Sequence, residues 1–407
     1  MLNQISGGVC AAKGFTAAGV HCGVKAGSSP DKNDLALILS EKECAAAATY
    51  TMNRVKAAPL YVTMDHLENG VAWGVVANSG NANACCPQSH ENAEAMSVSA
   101  AAATGREPGD FVVASTGVIG QTINISAIQA GLPQAAAALS ADGSDAAAHA
   151  IMTTDTVKKE IAVSLTIGGK EVRLGAIAKG SGMIHPNMGT MLCFVTTDCA
   201  ITREMLSEAL REVVPRTFNR VTVDGDTSTN DMCVVLANGM AGNPLIEWKD
   251  DGYTVFLKAL RQLCQELARA IAGDGEGASR LITCAVREAR SEESAERLAK
   301  AVVGSSLVKA AMFGADANWG RVLCAMGYSK APFRPEHVDV SFCSQAGSIL
   351  VCKQGDGVDF DEDKAKTILT EKEVIIDVDL HEGDESAECW GCDLTYDYVK
   401  INGDYRT

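Results

Sequence analysis

Apolar residues recur along the chain with two different periods. Short runs rich in Val, Ile, Leu and Phe, bounded by glycine and polar clusters, read as strands at residues 35–39, 74–77, 111–114, 161–167, 191–196, 221–223, 281–286, 338–342 and 374–378. Apolar residues at three- and four-residue steps predict amphipathic helices over 91–103, 128–139, 202–214, 254–271 and 291–303. Pro133, inside the second of these, is expected to kink or break it. The two kinds of element alternate without a strict β-α-β rhythm, and several strands follow one another near the C-terminus. That order favours an α+β fold, a layered α/β sandwich with mixed sheets, over a doubly wound sheet. No G-x-G-x-x-G follows a strand, so a dinucleotide fold loses its main support.

Composition narrows the class of function. A chain of 407 residues with 47% hydrophobic residues can build two or three cores. Its 35 Lys+Arg against 51 Asp+Glu leave a net charge of −16, and no basic cluster is longer than a pair. A nucleic-acid partner is therefore not expected, because neutralising phosphates needs a basic patch. No run approaches the roughly 18 apolar residues that span a bilayer, and the start lacks a basic region followed by an apolar one. The chain reads as cytoplasmic, with no membrane partner. Its 15 cysteines are odd in number and scattered through Ala- and Val-rich runs, as packing residues would be. Cys389 and Cys392 form a C-x-x-C, but a zinc site needs further ligands at suitable spacing, so no metal is expected.

Five polar, glycine-rich runs stand against apolar strands, at 78–83, 115–120, 179–192, 224–231 and 273–278. The third brings Gly189 and Thr190 to the edge of the run Met191-Leu192-Cys193-Phe194-Val195. A threonine hydroxyl after a glycine can reach the preceding carbonyl where the backbone is strained, which is the geometry of an N-to-O acyl shift. Such a shift would leave Thr190 as a new N-terminus whose α-amino group, with an ordinary pKa of about 8, serves as its own base. Gly-Thr pairs are common, so by itself the pair favours a threonine that merely ends a loop.

The runs taken together change that balance. KGSGMIHPNMGTMLCFVTTD (179–198), FNRVTVDGDTSTND (218–231), GDGEGA (273–278) and WGCDLTYDYVKINGDYRT (390–407), with GGVCAAKGF (7–15) and STGVIG (115–120), resemble the glutamate/ornithine acetyltransferase family of arginine biosynthesis. The resemblance covers essentially the whole chain. It implies an autoprocessed N-terminal-threonine enzyme, cut between Gly189 and Thr190 into an α chain of 1–189 and a β chain of 190–407, with a C-terminal α/β domain from about residue 285. Two copies of each chain are expected to associate. Thr190 would take the acetyl group from N-acetylornithine and pass it to glutamate. The family's oxyanion pair falls on Thr116 and Gly117, and its substrate contacts on Thr153, Lys179, Thr190, Glu276, Asn402 and Thr407. Lys179 would meet the substrate carboxylate, with Glu276 and the C-terminal segment at the amine end. No cofactor is implied, and acetyl-CoA stays open as a second acetyl donor. Gly189 stands where alanine is common in the family.

Other readings stay on the table. A self-cleaving N-terminal-threonine amidase or peptidase of the same fold would hydrolyse the acyl-enzyme instead of passing it on. A non-catalytic amino-acid-binding protein would keep the pocket without the chemistry. Asp224, Asp226 and Asp231 lack the pattern of a calcium loop and are read as a hydrogen-bonded turn near the active site. His185 is read as loop structure and not as a base, the charged start of the 291–303 helix as a solvated face, and Asn81 and Asn83 receive no role.

Overall fold

The computed structural model describes residues 2–25, 27–185 and 191–404. Among them, two sheets carry the fold. The first contains β1 (Asn3–Ile5), β2 (Phe15–Val20), β3 (Leu35–Tyr50), β4 (Val71–Asn78), β5 (Phe111–Ser115), β6 (Lys159–Ile167), β7 (Lys170–Lys179), β8 (Leu192–Thr197) and β9 (Met232–Ala237). They run in the order β1-β6-β7-β8-β9-β3-β4-β5, with β2 also paired to β3.

Strand β3 explains how one sheet makes two layers. Its first part pairs with β2 and β4, the register with β4 breaks between Leu39 and Cys44, and Ala45 onward pairs with β9. The polar Ser40-Glu41-Lys42-Glu43 occupies the break. The two halves fold over one another, since Ile38, Val75 and Val112 of one share a core with Phe194, Val234 and Leu236 of the other. Side chains one residue along point outward by the two-residue period of a strand. Leu37, Val76 and Val113 pack on helices Ala58–His66, Ser89–Thr104 and Ile125–Ala137, while Cys193, Val195 and Val235 pack on Arg203–Val213 and Asp251–Gly273. The product is helix, sheet, sheet, helix. Strands buried on both faces read as continuous apolar runs, which is why β8 and β9 are buried at every position. Side-chain caps fix the starts of the outer helices: Thr202 accepts from Met205 N–H, and Asp250 accepts from Tyr253 N–H at 2.8 Å.

The second sheet comprises β10 (Leu281–Ala289), β11 (Asp339–Ser344), β12 (Gly347–Lys353), β13 (Asp356–Gly357), β14 (Glu373–Asp379) and β15 (Glu385–Cys392), ordered β13-β12-β11-β14-β10-β15. The β10–β14 pair is parallel and the rest are antiparallel. Helices Glu292–Gly304, Ser306–Phe313, Trp319–Gly327 and Glu362–Leu369 contribute to its core. β14 alternates buried and less buried residues, as a strand covered mainly on one face should.

Several expectations need correction. Residues 221–223 form no strand; Val221 makes only an isolated bridge to Trp390, after a short 3-10 turn at Phe218–Arg220. Helix Ile125–Ala137 runs through Pro133 and is not broken there. The start of helix Glu292–Gly304 is a solvated face only in part: Arg287, Glu288, Arg290 and Glu293 are exposed, whereas Glu292 is half-buried and paired. Glu292 accepts from Nε and Nη2 of Arg216, each at 2.8 Å, and from Arg220 at 2.7 Å, while Glu296 accepts from Arg220 at 3.1 Å. These pairs clamp the second unit to the first, and hydrogen bonding from Arg216 leads in holding the Glu292 carboxyl down at about 2. Cys389 and Cys392 lie three apart on β15 and therefore face opposite ways, Cys389 into the second core and Cys392 into the first. That placement separates the two thiols from any shared ion. Among the described residues, no helix is long and apolar enough to cross a membrane.

Candidate active site

The ladder brings four chain segments to one end of the first sheet. β8 and β9 are parallel and begin in register, Leu192 opposite Met232, so the residues just before them, Met191 and Asp231, come together. β7 runs antiparallel to β8 and ends there, with Lys179 opposite Leu192. Across the sandwich, β5 ends at Ser115 and delivers Thr116 and Gly117. Lys179 Nζ donates to Thr116 Oγ1 at 3.4 Å, over 63 residues of chain. An oxygen that accepts from an ammonium has its own proton turned elsewhere, which leaves the Thr116 hydroxyl free to donate into the cavity beside it.

An asparagine network holds the Thr116–Gly117 turn. Asn78 Nδ2 donates to the carbonyls of Ser79 and Asn81, at 3.2 and 3.0 Å, and its Oδ1 accepts from Ser115 Oγ at 2.6 Å. Asn230 Nδ2 donates to the Ala82 and Ser115 carbonyls at 2.6 and 2.8 Å. Gly117 has φ 134°, and a Cβ there would stand 2.4 Å from the Gly80 carbonyl carbon, so both the dihedral and the space require glycine. Asn81, left without a role by the sequence, bridges in ladder fashion to Thr116 and Val118.

These elements enclose a cavity of about 280 Å³. Of the residues singled out in the sequence, Thr116, Gly117, Thr153, Lys179, Glu276 and Asn402 all line it. Gly189, Thr190 and Thr407 lie outside the described residues. Met191, which follows Thr190 in the chain, lines an adjoining recess of about 20 Å³ together with Thr116, Lys179, Asn230 and Asp231. Glu276 is buried, accepts from Asn402 Nδ2 at 2.8 Å, and its carboxyl sits where a Cβ on residue 182 would be, so Gly182 makes room for it.

The electrostatics are those of charge kept from water. Burial pulls the Lys179 ammonium below the usual lysine range, with Asp155, Asp231 and Glu276 opposing and Lys159 adding to the fall. Burial also pushes Asp231 well up, and its Oδ2 has no hydrogen-bond partner among the described residues. Asp155 goes the other way: burial would raise it, but the charges of Lys179 and Lys159, with hydrogen bonds from Lys159 and the Gly180 N–H, bring it down to about 2. His185 donates to or accepts from Thr222 Oγ1 at 2.9 Å, and burial lowers it to about 4. It is neutral over most of the pH range and does not line the cavity. Asp224 anchors the adjoining loop, accepting from Met183 and Ile184 N–H at 2.6 and 2.8 Å.

The sequence missed part of this site. Thr154, Met183, Ser228, Thr229 and Asn230 also line the cavity, and Asp155 and Asp231 stand behind it. Thr154 and Asp155 directly follow the singled-out Thr153, and Asn230 and Asp231 close the 224–231 run, so their signal was adjacency to residues already chosen.

With that geometry in place, comparison with known proteins becomes decisive. The model of the ArgJ family matches residues 16–407. The chain belongs to the ArgJ family. It is 54% identical over 407 residues to the arginine biosynthesis bifunctional protein ArgJ of Symbiobacterium thermophilum, covering 100% of each chain. Identity to ArgJ 1 of Clostridium acetobutylicum, named likewise, is 49% over 394 residues, 97% of this chain and 96% of that one. The crystal structure of the ArgJ protein from Bacillus halodurans matches with 47% identity and a TM-score of 0.50, covering 52% of this chain and 98% of its own.

Proposed function

We propose that this ArgJ-family chain carries an acetyl group from N2-acetyl-L-ornithine to L-glutamate through an ester on Thr190. The observation that carries the reading is the convergence of Thr116, Gly117, Thr153, Lys179, Glu276 and Asn402, from segments far apart in sequence, on one cavity beside Met191.

In this mechanism the chain first cuts itself between Gly189 and Thr190. A break there leaves 407 − 189 = 218 residues in the second chain, about 54% of the whole, and the Bacillus halodurans chain, nearly all of it matched, spans 52%. The freed α-amino group takes the Thr190 hydroxyl proton as the oxygen attacks the acetyl carbonyl. The Gly117 N–H and the Thr116 O–H donate to the resulting oxyanion, and such prealigned donors are each worth a factor of about 10²–10³. Collapse breaks the C–N bond, the proton passes to the leaving amine, and ornithine departs. The amine of glutamate then attacks the ester and restores the threonine. Lys179 meets the α-carboxylate of either substrate. Glu276, with Asn402, faces the ammonium side chain that ornithine has and glutamate lacks. The reaction needs no cofactor, since nucleophile, base and oxyanion donors all come from the chain. The curated relatives are named bifunctional, and we assign the second activity to acetylation of glutamate from acetyl-CoA. Two α and two β chains form the working unit, and the 15 free thiols of each 407-residue chain suit a reducing cytoplasm.

The test is the fate of the acetyl group. Wild-type protein runs as two bands of similar size and converts N-acetylornithine plus glutamate to ornithine plus N-acetylglutamate, whereas Thr190→Ala stays as one band and transfers nothing. Release of free acetate in place of N-acetylglutamate would instead mark an amidase.

A further inference from the structure

Behind the cavity wall lies a buried ion cluster with no part in the chemistry described above. Lys159, at the start of β6, has a side chain 1% exposed and pairs with Asp155 Oδ1 at 2.7 Å and Asp274 Oδ2 at 2.5 Å, whose own side chains are 0% and 7% exposed. Each carboxylate reaches further. Asp155 accepts from Thr153 N–H at 3.1 Å and from Gly180 N–H at 2.7 Å. Asp274 accepts from Thr156 through both its N–H and its hydroxyl, and from Val157 N–H at 3.4 Å. The Asp274 carbonyl accepts from Ser181 Oγ at 2.7 Å, and Glu276 N–H donates to the Ser181 carbonyl at 3.1 Å.

Three separate segments of the cavity wall are thus tied to one ammonium. Residues 153–156 carry Thr153 and Thr154, residues 179–182 carry Lys179, and residues 274–276 carry Glu276. Taking three charges out of water is costly, and a hydrophobic cluster of the same volume would hold the chain as well or better. What an apolar cluster could not supply is a carboxylate fixed on the Gly180 N–H, one residue along from Lys179, where its charge acts on that ammonium. We infer that Asp155, held by Lys159, which Asp274 grips from its other side, is a positioning residue that keeps Lys179 charged and aimed into the cavity for the substrate α-carboxylate. This rests on the carboxylate-binding role given to Lys179 above.

The charged groups around Lys179 are Asp155, Lys159, Asp231 and Glu276, with the Thr116 hydroxyl as its hydrogen-bond acceptor. Burial already drives its ammonium toward deprotonation, so removing the Asp155 charge leaves the proton less firmly held. In Asp155→Asn, the alkaline limb of kcat/KM should move to lower pH, and KM for both N-acetylornithine and glutamate should rise by about tenfold or more, with kcat at saturation changed far less. Asp155→Glu keeps the charge with altered reach, so its alkaline limb should stay at the wild-type pH while KM rises. A merely structural cluster predicts a loss uniform across pH in both variants. An unmoved limb in Asp155→Asn overturns the inference. If that variant does not fold, an Asp155→Glu enzyme with wild-type KM, or with a shifted limb, overturns it equally. Failure of the underlying reading shows separately, in the wild-type enzyme, as no acetyl transfer between the two substrates.

Discussion

The two sheet units solve the same packing problem with different materials. The second packs its sheet on an apolar core, from Ile282 and Val286 through Phe342 to Val374 and Val378, and its buried charges, Lys309 and Asp393, bond to backbone groups at its seam with the first, the Val223 carbonyl and the Ser279 N–H. The first has larger apolar cores, yet at one end of its strands it buries Asp155, Lys159, Lys179, Asp231, Asp274 and Glu276. Burying charge lowers stability unless each group is paired, and here the pairing is uneven: Lys159 is held from two sides while Asp231 Oδ2 has no partner among the described residues. A fold selected only for stability has no use for that end. The contrast separates scaffold from the proposed site, whose buried charges gather at the start of β8 and β9.

The contrast can be attacked from either side. Phe342→Ala, in the second core, should destabilise the protein by about 3–5 kcal/mol in denaturant unfolding while leaving KM for both substrates unchanged; a changed KM would mean that the second unit shapes the site. Gly117→Ala should lower kcat by about 10²–10³, because a Cβ there meets the Gly80 backbone and displaces an oxyanion donor. Steady-state kinetics with N-acetylornithine read this directly. Glu276→Gln should raise KM for N-acetylornithine by about tenfold and KM for glutamate by much less, since only ornithine brings a side-chain ammonium to that carboxylate.

The smallest effect concerns His185. Its pKa falls from 6.5 to about 4 on folding, so between those values the unfolded chain binds more protons than the folded one, and stability rises with pH across that window. The contribution is fully present above pH 6.5 and is lost as the pH drops through 4. His185→Gln should flatten that part of the stability profile and leave kcat at neutral pH as in the wild type. A large fall in kcat would give His185 the catalytic part that its position off the cavity denies it.

Legibility in the sequence tracks how local each feature is. Strands such as β5 and β8 and helices such as Asp251–Gly273 announce themselves because both faces, or one clean stripe, are apolar. β3 was read as five residues and is sixteen, because its polar break at 40–43 and the small Ala45–Ala48 run hide a strand whose partner, β9, arrives from nearly 190 residues away. Residues 221–223 misled for the opposite reason: Val221 and Val223 pack into a core with one isolated bridge in place of a ladder. Within the site, Thr116, Gly117, Lys179 and Glu276 sit in runs of unusual local composition. Lys159 was invisible, since a lysine opening a strand looks ordinary, and Asp274, although inside the 273–278 run, showed no role of its own until a contact across 115 residues joined the two. The salt bridges from Arg216 and Arg220 to Glu292 were hidden in the same way.

The central claim is that Thr190 carries the acetyl group, and the most direct measurement is the intact mass of the β chain after exposure to N-acetylornithine without glutamate. The account predicts a gain of one acetyl group on the fragment that begins at Thr190, cleared on adding glutamate as N-acetylglutamate appears. N-acetylglutamate formed from N-acetylornithine while that fragment never gains an acetyl group, on any timescale down to a single turnover, would contradict it.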